Sequence, residues 1–177
     1  MSKPRIYTIG HSTRSIEEFI ALLDKYEVSY LADVRTLAGS NHNPQFNAED
    51  LSVSLKEAGI GYSHISKLGG LRKTNKESKN TGWRNASFRG YADYMATKEF
   101  AEGLEELIDI ASKKTTAIMC AEAVPWRCHR SMIGDALVKK KWLVNDIMSL
   151  KKAPPHRLIS FLKVKKGIIV YPPEVES

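Results

Sequence analysis

Only two cysteines occur in this chain of 177 residues, too few to staple a secreted scaffold with disulfides. No apolar run approaches the ~20 residues that a membrane helix needs. The run Ile6-Tyr7-Thr8-Ile9 that follows Lys3 and Arg5 is too short for the apolar centre of a secretory signal. These lacks set the expectation of a cytoplasmic protein with no membrane partner. Neither G-x-G-x-x-G nor G-x-x-x-x-G-K-[ST] is present, so no dinucleotide or Walker-type phosphate loop is signalled, and the cofactor is left open. No C-x-x-C pair occurs either. Cys120, Cys128 and His129 offer three metal ligands with no fourth nearby, so no metal site is expected. Internal repeats and low-complexity tracts are also missing.

What is present is an ordinary globular composition, 42% hydrophobic and 27% charged, with a formal net charge of +7. That length suits one domain with a real core. The basic excess suits an anionic partner, a phosphate-bearing small molecule or nucleic acid, although lysines at Lys139 to Lys141, Lys151-Lys152 and Lys163 with Lys165-Lys166 also read as a solvated face. Hydrophobic spacing predicts strands at 5–9, 28–34, 62–65, 115–120 and 142–147. Helices are predicted after Ser12 or Thr13, from Asn47 to about Ala58, across 91–113 with a break near Thr97, and from about His129 to Lys139. Residues 72–90 read as a long polar loop. The tail carries a helix-like turn at 155–162 and a β-prone run at 167–171. Alternating strands and helices predict a single α/β domain, with a mainly parallel, Rossmann-like sheet of about five strands and helices on both faces. The motif-bearing core spans 5–147, and 148–177 reads as an extension.

In such sheets ligands bind beyond the carboxyl ends of the strands. Polar, reactive side chains gather at that edge: His11 and Ser12, Asp33 and Arg35, His64, then Cys120 and Glu122. The densest stretch is Cys120 to Ser131. Cys120 ends an apolar strand, where a thiol is either a buried small hydrophobe or a nucleophile whose pKa a nearby cation lowers. Thiol phosphatases place an arginine six residues after such a cysteine, and here that position is Trp126, with Arg127 one residue late. Glu122 is an acid/base candidate or the ion-pair partner of Arg127 or Arg130. Arg127, His129, Arg130 and Ser131 open a helix, whose N–H groups and dipole suit an anion. His11 is the best-placed general acid/base, and Asp33 and Arg35 share one side of a strand. Phe46 in Asn43-Pro44-Gln45-Phe46 either stacks on a base or staples the helix that follows.

Thr8-Ile9-Gly10-His11-Ser12, Asp33-Val34-Arg35, Asn43-Pro44-Gln45-Phe46, Leu68-Gly69-Gly70 and Cys120-Ala121-Glu122 with Cys128-His129-Arg130 stand in an order and spacing that resembles the domain of unknown function 488 family. The resemblance covers residues 5 to about 147. Thr36-Leu37-Ala38-Gly39-Ser40 lacks the proline that commonly follows Asp-Val-Arg in the family. The resemblance implies an α/β fold and supplies no established reaction.

The reading that follows is an enzyme for an anionic, phosphate-bearing substrate, a nucleotide or nucleic acid. His11, Asp33, Cys120 and Glu122 are its catalytic candidates. Ser12, Arg35, Arg127, His129, Arg130 and Ser131 are its anion-binding candidates. A non-catalytic nucleic-acid-binding module and a thiol or metal-based redox protein are the alternatives.

Overall fold

The structure is a computed structural model and describes residues 3–39 and 41–173. Five parallel strands form the central sheet: β1 (Arg5–Gly10), β2 (Tyr30–Asp33), β3 (Gly61–His64), β4 (Thr116–Cys120) and β5 (Leu143–Asp146). Their order is β3-β2-β4-β1-β5, so β4 lies between β1 and β2. Gly10 is the register partner of Cys120, and Asp33 that of Met119. Five helices complete the single α/β domain: α1 (Ile16–Lys25), α2 (Ala48–Glu57), α3 (Ala86–Tyr94), α4 (Lys98–Lys113) and α5 (Arg130–Lys139). No helix among the described residues is long and apolar enough to cross a membrane.

The strands alternate side chains between two apolar layers. On one face Ile9, Leu31, Ala117 and Met119 pack with Phe19, Leu22 and Leu23 of α1 and Leu51 and Leu55 of α2. On the other, Ile6, Ala32, Ile118 and Cys120 pack with residues of α3, α4 and α5. The loops after β1 and β2 therefore lead to one face, and the loop after β4 leads to the other. Adjacent strands whose connections part in this way leave a crevice at their carboxyl ends.

Several local expectations are corrected. Ser12 does not cap α1. It sits at φ 49 with its N–H bonded to Ala121, and the helix starts three residues after it, where Ser15 accepts from the Glu18 N–H at 3.1 Å. The loop expected over 72–90 ends earlier, because Asn85 caps α3 through the N–H groups of Ser87 and Phe88. Gly90 lies inside that helix because the chain crosses there: a Cβ would stand 2.1 Å from the Arg72 carbonyl oxygen. Asp93 of α3 then ties the loop down, accepting from Asn75 N–H, Ser78 Oγ and Asn80 Nδ2. Thr97 caps α4 through the Phe100 N–H, at the expected break.

The tail differs most. No helix forms at 155–162. Pro154-Pro155 favours extended backbone, and this segment runs beside β5, with Asp146 N–H on the Pro154 carbonyl and His156 N–H on the Val144 carbonyl. β6 (Lys163–Lys165) and β7 (Ile168–Val170) then make an antiparallel hairpin, of which only β7 was expected. The extension is part of the core: Tyr171 is fully buried and donates to Asp135 Oδ2 at 2.8 Å. His156 lies between two buried carboxylates, Nε2 on Asp135 Oδ1 at 2.9 Å and Nδ1 on Asp146 Oδ2 at 3.0 Å, and Asp146 also accepts from Thr8 Oγ1. Its ring rests on Gly134 of α5, where a Cβ would come within 2.9 Å of it.

Candidate functional site

The carboxyl end of β1 is covered by the turn that leaves β4. A Cβ at Gly10 would lie 1.7 Å from the Glu122 carbonyl oxygen and 3.0 Å from the Ala123 Cα. This close approach lets His11 N–H donate to the Cys120 carbonyl at 3.0 Å and Ser12 N–H to the Ala121 carbonyl at 2.9 Å. The His11 ring stacks on Phe46, centroids 4.4 Å apart and planes at 16°. Phe46 is fully buried, so it is His11's support and not a platform for a base. His11 Nδ1 donates to the Ser12 carbonyl at 2.8 Å, which leaves Nε2 as a buried acceptor with no hydrogen bond among the described residues. Burial holds the imidazole below its ordinary pKa and so neutral at pH 7, against the pull of the Ser12 carbonyl.

Asp33 is fully buried at the end of β2 and fully used. Arg35 clasps it with Nε at 2.9 Å and Nη2 at 2.7 Å, and Tyr62 donates to it at 2.6 Å. Burial, then the hydrogen bond to Asp33, raises the Tyr62 hydroxyl well above its ordinary value. Arg35 keeps Nη1 buried and, among the described residues, without a hydrogen bond. The carboxylate thus orients the guanidinium through two of its three nitrogens.

Cys120 and Cys128 are both free and buried and line the same cavity, with Cys120 Sγ 3.7 Å from the Glu122 carbonyl oxygen and Cys128 Sγ 3.4 Å from His129 Nδ1. Burial pushes the Cys120 thiol up, but a hydrogen bond from Cys128, the Arg130 charge and the Glu122 backbone together bring it below its ordinary value. Cys128 moves the other way, well up, because it carries the proton between the two sulfurs and is itself buried. His129 donates from Nε2 to the Val34 carbonyl at 2.7 Å, so its lone pair is on Nδ1, 3.4 Å from Cys128 Sγ. Burial takes His129 down to about 4, with Arg130 adding to the effect, and it is neutral. Arg130, the first residue of α5, has no exposed surface, and Nε, Nη1 and Nη2 make no hydrogen bond among the described residues.

A cavity of 260 Å³ opens here, lined by Arg35, Glu122, Arg127, Cys120, Cys128 and His129 from the expected set. Ser87, Phe88 and Tyr91 of α3 and the Gly70-Leu71 turn, which the sequence reading missed, supply the opposite wall. The Leu68-Gly69-Gly70 motif was the signal for that wall. Tyr91 donates to the Leu68 carbonyl at 2.8 Å, Gly69 lies against Thr36, and Gly70 lies against the His129 ring. His11 belongs to the other face of the sheet, and no hydrogen bond joins its ring to Cys120. Ser131 turns its hydroxyl back to the Cys128 carbonyl, and the N–H groups of Arg127, Cys128, Ser131 and Met132 are bonded within the turn and the first helical residues. Glu122 is exposed and makes no ion pair with Arg127 or Arg130. Among the described residues no group of three His, Cys, Asp or Glu side chains is placed to hold a metal ion. A larger cleft of 660 Å³, lined by Trp83, Trp126, Phe161 and His156, lies across the 125–131 turn, and the lysine runs line neither space.

The Domain of unknown function DUF488 family model matches residues 15–137. The chain belongs to the DUF488 family. No curated protein and no solved structure matches it. The DUF488 match takes in Asp33, Arg35, Cys120, Glu122 and the whole 127–131 turn. It stops short of β1 with His11 and of the tail with His156.

Proposed function

We propose that this protein is an enzyme for an anionic, phosphate-bearing substrate, with Cys120 as a thiolate nucleophile at the carboxyl edge of the sheet. The observation that carries this reading is Arg130, a guanidinium with no exposed surface and, among the described residues, no hydrogen bond, whose charge acts to lower the pKa of both thiols. An uncompensated buried charge costs several kcal/mol, so the fold needs an anion beside it. Cys120, whose pKa the Arg130 charge helps to lower, is the group that supplies that anion on losing its proton, and a thiolate is the reactive form of cysteine. Arg35 Nη1 and the exposed Arg127 are the groups that meet the substrate's phosphate. The 260 Å³ cavity suits a phosphate group, and the neighbouring cleft with its two tryptophans suits the planar remainder of a nucleotide. Glu122 at the mouth is the acid/base group that solvent can reload. His11, stacked on Phe46 and bonded to the Ser12 carbonyl, transfers no proton to Cys120 directly.

Alkylation of Cys120 by iodoacetamide tests this reading. An Arg130→Met variant is expected to react roughly 10- to 100-fold more slowly at pH 7. It should nevertheless be as stable as wild type, or more stable by about 1–4 kcal/mol, since Cys120 then protonates and no buried charge remains. Inorganic phosphate or a nucleotide at low salt should protect wild-type Cys120. Arg35→Lys keeps a charge for Asp33 but lacks the free nitrogen, and should weaken that protection about tenfold. A Cys120 no more reactive than a thiol of the unfolded chain, or protection by chloride equal to that by phosphate, would overturn the proposal.

A further inference from the structure

The nucleophile reading uses the second thiol only as a neighbour that lowers the Cys120 pKa, yet Cys128 holds a built position of its own. Cys120 ends β4, and the chain leaves it, makes the short 3-10 turn Pro125–Arg127, and returns Cys128 to the same cavity. Cys128 N–H on the Pro125 carbonyl at 3.0 Å closes that turn. Two cysteines acting only as small hydrophobes would face aliphatic neighbours. These two line one cavity at the turn, where Cys120 Sγ meets the Glu122 carbonyl oxygen at 3.7 Å and Cys128 Sγ meets a neutral imidazole nitrogen at 3.4 Å. The imidazole cannot swing away. Its Nε2 is held by the Val34 carbonyl, Tyr91 packs 4.9 Å from its ring, and a Cβ at Gly70 would come within 3.1 Å of Nδ1.

We infer that Cys120 and Cys128 are a working dithiol, converted reversibly to an intramolecular disulfide by exchange with a low-molecular-weight disulfide. The inference rests on the reading of Cys120 as a thiolate and adds a second function to the same cavity. Cys120 Sγ attacks one sulfur of the small disulfide. That S–S bond breaks, a mixed disulfide forms on Cys120, and one small thiolate leaves. Cys128, whose Sγ lies 3.4 Å from His129 Nδ1, gives its proton to the first departing small thiolate, and its sulfur attacks Cys120 Sγ. The mixed disulfide breaks, the Cys120–Cys128 bond forms, and the second small thiolate leaves. The protein dithiol loses two electrons and the small disulfide gains them. The order of attack follows from the asymmetry of the pair: Arg130 acts on the first sulfur and His129 accepts from the second.

The experiment is oxidation of the full-length protein with glutathione disulfide, acid quenching and intact mass measurement. Wild type is expected to end lighter by two hydrogen atoms, with no lasting adduct, and dithiothreitol should restore the starting mass. Cys128→Ser should accumulate one glutathione adduct on Cys120, and His129→Gln should make that adduct visible as a transient in an otherwise wild-type pair. A lasting adduct on Cys120 in wild type would overturn the dithiol and leave the thiolate reading intact. No reaction at all, with Cys120 also inert to iodoacetamide, would overturn both. The wild-type result decides the matter even where a variant fails to fold.

Discussion

A Gly10→Ala variant is expected to lose roughly 3 kcal/mol or more of stability, or to fail to accumulate as folded protein. The reason is a collision with backbone, not with a side chain that can rotate away. The added methyl would sit 1.7 Å from the Glu122 carbonyl oxygen and 2.6 Å from the Glu122 carbonyl carbon. Relief requires the 121–123 turn to lift. Lifting it breaks the bonds from His11 and Ser12 N–H to the Cys120 and Ala121 carbonyls and tilts Cys120 away from Arg130. The variant should therefore also lose the fast alkylation of Cys120. Gly39→Ala is the control, since its Cβ would meet only the Asn47 side chain at 3.6 Å. Equal urea midpoints for Gly10→Ala and wild type would show that the turn does not lie where the structure puts it.

The second large effect is on the dependence of stability on pH. Burial lowers the pKa of His156, but the carboxylates of Asp135 and Asp146 raise it more, and the net result is about 9. The unfolded ring releases its proton near 6.5. The folded state is the tighter proton binder, so this contribution is complete below about pH 6.5 and is lost as pH rises through about 9. A shift of that size corresponds to about 3 kcal/mol. Thermal melts should fall across that window in wild type. His156→Gln should be less stable at pH 6 and should flatten the slope. Gly134→Ala, which crowds the ring, should reproduce part of the loss. Parallel pH profiles for wild type and His156→Gln would contradict this account.

How much was legible in the sequence differs from element to element. The parallel strands and the boundaries of α4 and α5 followed from period, caps and apolar runs, because those signals are local. The gathering of Arg35, Cys120, Glu122 and Cys128 at one edge followed from topology alone. What was not legible depends on which way a side chain points. His11 and Cys120 end adjacent strands, yet they serve opposite faces, and nothing in the order of residues reveals that. Asn85 as a cap was hidden in a polar stretch, and Gly90 discouraged a helix where a crossing chain requires it. The structural weight of the tail was hidden as well. His156 and Tyr171 look unremarkable until Asp135, far upstream, receives both.

The position of β4 has a consequence for the order of assembly. Among the described residues β1 pairs with β4 and β5 alone, so it has no strand neighbour until residues beyond 115 are available. The first two-thirds of the chain can form only the β2–β3 pair. The sheet closes when a late strand inserts between two early ones, a long-range event that slows folding. That inserting strand ends in Cys120. The last step in building the scaffold is also the one that brings the reactive sulfur to its guanidinium, and a chain cut short before β4 has neither a continuous sheet nor a site.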